Sequence, residues 1–245
     1  MIKFFRKIRQ RLVTENNFSK YLLYAIGEIV LVVIGILIAL QINNWSEVRK
    51  FKNLEIVTLI EIQKGLKQAI KENLRVEKAN MSTIENYEVL LEHIEKRLPY
   101  SKSLNANFFA LLSWQEPDFN YSGFELFKSR GPDLISNDSI KINLLEIYEE
   151  KIQYLVNDHN KTEWNYNNTI MTPFFTDNFE FDLTNRTVIP NNYIELINNQ
   201  QFKNKLTYLI FIRSYGVDYS KNLSLHIKKL INDISAEIDR LEPEK

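Results

Sequence analysis

Residues 21–40 read YLLYAIGEIVLVVIGILIAL, and this stretch decides the architecture. Nineteen of its 20 residues are uncharged, the exception being Glu28. About 20 residues at about 1.5 Å each cross the roughly 30 Å hydrocarbon layer of a bilayer. The run from Ile29 to Leu40 has no polar face, which argues against the core helix of a soluble protein. Tyr21, Tyr24 and Trp45 bracket it as an aromatic belt would. A cleaved signal peptide needs a shorter apolar core and small residues at its end. Here the run ends in Ala39-Leu40-Gln41-Ile42, which lacks that pattern. The reading is therefore an uncleaved transmembrane helix over 21–42, following a short tail over 1–20 and preceding a domain over 43–245.

The flanking charge sets an orientation. Residues 1–20 carry Lys3, Arg6, Lys7, Arg9, Arg11 and Lys20 against Glu15, a balance of +5, whereas the remaining chain is at −5. By the positive-inside rule the tail stays in the cytoplasm and the large domain is exported. In a Gram-negative cell that means the inner membrane and the periplasm. Ile2, Phe5, Ile8 and Leu12 recur at near-helical spacing among the basic residues, so the tail reads as an amphipathic helix on the lipid surface or as a disordered topogenic segment. No basic patch is interleaved with aromatics, so nucleic acid is not an expected partner. Cysteine is absent, which excludes disulfides and thiolate metal sites.

Within the span, Glu28, Val32, Gly35 and Ala39 fall on one helical face. A carboxylate in hydrocarbon is costly and is usually paired, protonated or functional. Gly35 and Ala39 form a small-x-x-x-small pair that lets a second helix approach. These four residues are the candidate membrane helix contact. The competing reading places Glu28 shallow enough to reach the interface.

Beyond the span the periodicity is helical. No proline occurs before Pro99, and apolar residues recur every three to four positions from Ile56 through Leu66, Leu74, Met81 and Tyr87 to Leu98. Polar Gln63, Asn73, Glu77 and Asn80 interrupt this near-heptad seam. Similar rhythms predict long helices over about 46–98, 139–170 and 200–241. Ser136-Asn137-Asp138-Ser139 supplies a cap for the second of these. Shorter helices are expected near 104–115, 122–130 and 191–198, and only residues 186–189 have strand composition. The fold class is all-α: one N-terminal transmembrane helix followed by an elongated helical bundle.

Two blocks carry a resemblance. Residues 18–45, FSKYLLYAIGEIVLVVIGILIALQINNW, resemble the N-terminal signature of an uncharacterised family of membrane proteins abundant in Bacteroidota. Residues 122–144, SGFELFKSRGPDLISNDSIKINL, are similar to that family's second signature, with Phe127 at a usual Leu position and Arg130 at a usually small one. The resemblance implies a Gram-negative envelope protein with a periplasmic helical domain, and it implies no activity.

The residues offer little chemistry. His93, His159 and His226 lie one on each long helix, and neither Glu-x-x-His nor His-Glu-x-x-His occurs. His159 and Glu163 are four apart and could both be ligands, but the simplest reading is a solvated pair near a helix end. No nucleophile elbow or phosphate-cradling loop is present. No catalytic, metal or cofactor residues are therefore nominated, and an enzyme of unknown class is the least favoured reading. Residues 117–136, PDFNYSGFELFKSRGPDLIS, gather Phe119, Tyr121, Phe124, Phe127, Lys128 and Arg130. They are the candidate interaction surface; the alternative is a hydrophobic plug with Gly131 capping a short helix. Asp138-Ser139-Ile140 also resembles an O-glycan acceptor of the same bacterial group, although capping already accounts for its first two residues. Expected partners are membrane lipid and either a second copy or another envelope protein. The expected function is an interaction or sensory module, with a subunit using Glu28 inside the bilayer as the alternative.

Overall fold

The computed structural model describes residues 18–182, 184–185 and 187–242. The expected tail helix over 2–12 lies outside the described residues. One compact unit ends at Leu54 and the other begins at Glu55. The protein is all-α in class, 83% helical with almost no strand.

Helix α1 spans Phe18–Lys96. Nothing in this stretch breaks it, because proline is absent and Gly65 is the only glycine after residue 35. It stops where Arg97 adopts a left-handed conformation, φ 50°, and the amide of Leu98 donates to the carbonyl of His93 at 3.0 Å. That is the Schellman closure, and Pro99 then prevents any continuation. An arginine bears a Cβ penalty in this conformation that glycine does not. Arg97→Gly is expected to stabilise the domain by about 1 kcal/mol, read as a higher urea midpoint at unchanged slope.

From residue 55 onward α1 buries one stripe. Glu55, Leu59, Ile62, Leu66, Ala69, Asn73, Val76, Thr83, Tyr87, Leu90 and Ile94 are all buried. Steps of four and three alternate throughout, with only Asn80 of the series partly exposed. Leu74 and Met81, expected in the seam, are 44% and 41% exposed and lie off it. The true register runs through the polar Asn73.

The last long helix, α6 over Gln200–Leu241, repeats the heptad pattern. Phe202, Leu206, Leu209, Arg213, Gly216, Ser220, Leu223, Ile227, Leu230, Ile234, Glu237 and Leu241 are buried. The two seams face each other antiparallel. Gln63 donates to Ser235 at 2.6 Å and Asn73 to Ser224 at 2.8 Å, while Arg213 donates to Tyr87 at 2.9 Å.

Between them in sequence come α2 (Leu104–Ala110), α3 (Ser122–Arg130) and a continuous helical run over 138–178, termed α4. The last runs eight residues beyond its expected end at 170. Its buried positions Ile140, Leu144, Ile147, Tyr148, Ile152, Leu155, Asn160, Glu163, Met171 and Phe175 keep one face of the run toward the core. Three wider π segments, Glu146–Lys151, Tyr154–His159 and Asn167–Met171, interrupt the α-helical ladder along it. Pro173 follows directly after the third, where the regular ladder is already interrupted.

A two-stranded antiparallel hairpin follows: β1, Phe179–Asp182, pairs with β2, Thr187–Pro190, with Phe179 opposite Pro190. The second strand was expected at 186–189. The first, Phe-Glu-Phe-Asp, alternates over four residues only and carries little signal alone. Helix α5, Tyr193–Asn198, leads into α6.

The core is split in two. One cluster centres on Leu59, Ile62, Phe124, Phe127, Leu144 and Ile227. The other centres on Tyr87, Phe108, Phe175, Phe179, Phe202 and Leu206. Along α6 the second cluster ends at Ile212 and the first begins at Leu223. The buried residues between them are Arg213, Gly216, Val217 and Ser220, with Ser224 just beyond Leu223, so a largely polar belt separates two apolar cores.

Candidate functional site

The segment around 117–136 is positioned by α3 lying unusually close to α1. A Cβ added at Gly123 would stand 2.9 Å from the carbonyl oxygen of Glu61 and 3.0 Å from the Cα of Ile62. Glycine is what permits this approach. The residues expected to form an interaction surface then divide. Phe119, Phe124 and Phe127 are 6%, 2% and 0% exposed and belong to the core, with Phe124 stacked on Tyr148 at 4.5 Å. This corrects the surface reading for the three phenylalanines: α3 buries its aromatic face against α1 and α4. Tyr121 is half-buried at the edge of that core. Lys128 and Arg130 remain exposed, with Lys128 paired to Glu125 and the guanidinium of Arg130 donating to Thr58. Gly131, φ 90°, ends α3.

The rest of that block is a latch. The amide and hydroxyl of Ser136 donate to Glu55 at 2.6 and 2.8 Å. Asn137 accepts from the amides of Ser139 and Ile140, capping α4, and its own amide donates to Glu237 at 2.9 Å. Arg240 donates to Glu237 and to Ser136. Loop 131–137 thus ties α1 to the end of α6, and the guanidinium beside Glu237 holds that carboxyl below the usual range. Asn137→Ala removes both the cap and the carboxylate contact. The expected loss is about 1–2 kcal/mol, measured by urea unfolding. Ser139 itself is exposed, and Asp138 pairs with Lys141 at 2.6 Å.

The polar belt is the second constellation. Asn73 donates to the Ser220 carbonyl at 2.7 Å and accepts from the Ser220 hydroxyl at 3.0 Å. One end of the belt is charged: Arg213, with its side chain fully buried, donates Nε to Glu163 at 2.7 Å, makes a second, closer contact through Nη2, and donates Nη1 to the Tyr87 hydroxyl. Its guanidinium also lies over the Tyr87 ring, 5.2 Å from the centroid. Burial pushes the Tyr87 phenol up to about 12, so it stays a neutral partner. Glu163 is 3% exposed, which overturns the reading of His159 and Glu163 as a solvated pair. The helix does not end there, and the carboxylate points inward to a cation from α6. Arg213 was missed in the sequence. It was legible only as the seam position four after Leu209 and three before Gly216.

His159 stands beside this pair. A Cβ on Gly216 would lie 2.2 Å from its Nε2, so the imidazole occupies space that any other residue on α6 would fill. Burial pushes the imidazole below its usual value. The sign follows directly: the unfolded chain binds the proton more readily than the folded one. The contribution is fully present above about pH 6.5 and is lost as pH falls below it toward the folded pKa. Stability measured from pH 7.5 down to pH 5.5 should decline in the parent, and decline less in His159→Gln.

A cleft of about 260 Å³ opens over the belt between α4 and α6, lined by Tyr154, Asp158, His159, Thr162, Phe211, Ile212 and Tyr215. The Tyr154 hydroxyl donates to that of Tyr215 at 3.3 Å. Among the described residues, no group of three or more His, Asp or Glu side chains is placed to hold a metal ion.

In the candidate membrane span, Val32 is 57% exposed, and Gly35 and Ala39 are exposed. A Cβ added at Gly35 would meet nothing within 4 Å. Glu28 is partly exposed on the same helix. Among the described residues, one helix is long and apolar enough to cross a membrane, and none of its most apolar 18-residue window is buried.

A family model described as a family of unknown function, DUF6090, matches residues 28–112. The match begins at Glu28, takes in the rest of α1 and α2, and stops short of the block at 122–144. No curated protein and no solved structure matches the chain.

Proposed function

We propose that this chain is a membrane-anchored interaction or sensory module of the Gram-negative envelope, with its tail in the cytoplasm, one span in the inner membrane and its helical domain in the periplasm. The observation that supports it is that α1 supplies both an apolar segment with no buried residue and the first heptad seam of the folded core. The +5 charge of residues 1–20 supports the orientation. The resemblance of both sequence blocks to Bacteroidota membrane proteins supports the compartment.

Because the chain has no cysteine, a single introduced thiol reports topology cleanly. In cells with a permeabilised outer membrane, Lys102→Cys should react with a membrane-impermeant maleimide and Thr14→Cys should not. The reverse pattern would overturn the orientation. Partner capture then needs photo-crosslinking probes at Val32 and at Phe211, because Phe124 is buried and reports only on the core. Capture at neither site would count against an interaction role.

A second reading rests on Glu28, the one charged residue between Tyr21 and Leu40. In it the chain is a subunit of a membrane complex held through the Glu28, Val32, Gly35 and Ala39 face. Glu28→Gln should then abolish complex formation while leaving insertion and abundance unchanged. A mutant that still assembles removes this reading.

A further inference from the structure

We propose that the cleft between α4 and α6 is a binding site for an organic cation carrying an alkylated ammonium group, held against the rings of Tyr154, Phe211 and Tyr215 with Asp158 as counter-charge.

The lining chemistry points to this ligand class. Three aromatic rings and one carboxylate line a cleft of about 260 Å³, and no lysine or arginine does. Aromatic faces carry negative quadrupole charge and attract cations, best those that are weakly hydrated. Asp158 is exposed and has no ion-pair partner within 4 Å among the described residues, so its charge is available at the lip. Arg213, which pairs with Glu163 next to His159, is already neutralised by that carboxylate. His159 at the back is kept neutral by burial and does not oppose a bound positive charge.

Packing does not account for the rings. Phe211 is 66% exposed and Tyr215 49%, and neither belongs to either core cluster. The arrangement is nevertheless held. The Tyr154 and Tyr215 hydroxyls are bonded to each other, and Tyr154 packs on Tyr219 at 4.8 Å. Gly216 leaves room for the imidazole that forms the back wall. A neutral apolar ligand would use the rings and leave the carboxylate without purpose. An inorganic cation would use the carboxylate and leave the rings so.

This inference goes beyond the proposed function and does not depend on the side of the membrane. The test uses the full chain in maltoside micelles, because phosphocholine detergents carry the proposed ligand group. Choline stands for a free ligand, Nα-acetyl-trimethyllysine amide for a side chain of a partner protein, and 3,3-dimethylbutan-1-ol for the uncharged shape of choline. Binding is read by calorimetry and ligand-observed NMR. Saturable binding of either cation, about tenfold tighter than the alcohol, is the expected result, and the tighter cation identifies the source. Asp158→Asn and Phe211→Ala, both at exposed positions, should each weaken it about tenfold with unchanged thermal unfolding. Equal binding of choline and the alcohol, no saturable binding of either cation, or full retention in Asp158→Asn would overturn the proposal.

Discussion

Glu163→Ala is expected to destabilise the folded domain by about 3–5 kcal/mol, which makes it among the most damaging single changes available. The reason is the partner left behind. Arg213 has a fully buried side chain, and Glu163 is its carboxylate. Removing the carboxylate strands a guanidinium with only the Tyr87 hydroxyl at 2.9 Å to satisfy it. Desolvating an unpaired charge costs far more than the pair contributes over apolar isosteres. The comparison that isolates this is the double variant Glu163→Leu, Arg213→Met, which removes both charges and keeps the volume. It should lie within about 1.5 kcal/mol of the parent. Urea unfolding of the maltoside-solubilised protein decides the matter. A double variant as unstable as the single one would show that the pair does more than neutralise itself, for example by fixing which layers of α1, α4 and α6 face each other.

Phe127→Ala should cost about as much, 3–5 kcal/mol by the usual range for a buried phenylalanine. Phe127 is 0% exposed and belongs to the core cluster that contains Leu59, Ile62 and Leu144. Truncation leaves a cavity beneath Gly123, where α3 already lies against the α1 backbone and has little freedom to collapse inward. The adjacent residue provides the contrast. Lys128 is exposed, and its pair with Glu125 is a surface one, so Lys128→Ala should change stability by less than about 0.5 kcal/mol. Were Phe127 presented to a partner and not to the core, the order would invert: the phenylalanine variant would unfold normally and lose a binding activity. The same unfolding assay separates the two outcomes.

The bulk of the fold was legible because its signals are periodic. The apolar run at 21–40, the absence of proline before Pro99 and the 3–4 rhythm at 200–241 predict long helices; the structure joins the span and the helix expected from 46 into one over Phe18–Lys96, carries the helix expected over 139–170 to residue 178, and keeps the last at Gln200–Leu241. Register was less legible. Leu74 and Met81 look like seam residues by composition, yet Asn73 and Thr83 occupy the buried positions. A hydropathy pattern cannot place an asparagine in a core, because its burial is favourable only when a partner such as Ser220 or Ser224 is brought to it from 147 or 151 residues away. The block at 122–144 was recognisable as a motif, but its aromatics and its polar residues serve different ends that no spacing rule separates. Gly123 and the phenylalanines pack α3, whereas Ser136 and Asn137 latch α1 to α6.

The cleft illustrates the same limit. Tyr154, Asp158 and His159 lie on α4 and Phe211 and Tyr215 on α6, more than fifty residues apart. Each looks ordinary in its own helix. Their juxtaposition depends on the packing of α4 against α6 and on Gly216, which makes room for His159.

The sequence by itself determined the helical class, the apolar run with its basic flank, and the presence of the main helices, because local periodicity, charge and proline placement act over a few turns of chain. Only the tertiary structure decided which polar residues are interior, that Arg213 answers Glu163, and that a carboxylate and three rings share one cleft. Those are long-range pairings, and their free energy exists only once helices distant in sequence have been brought together.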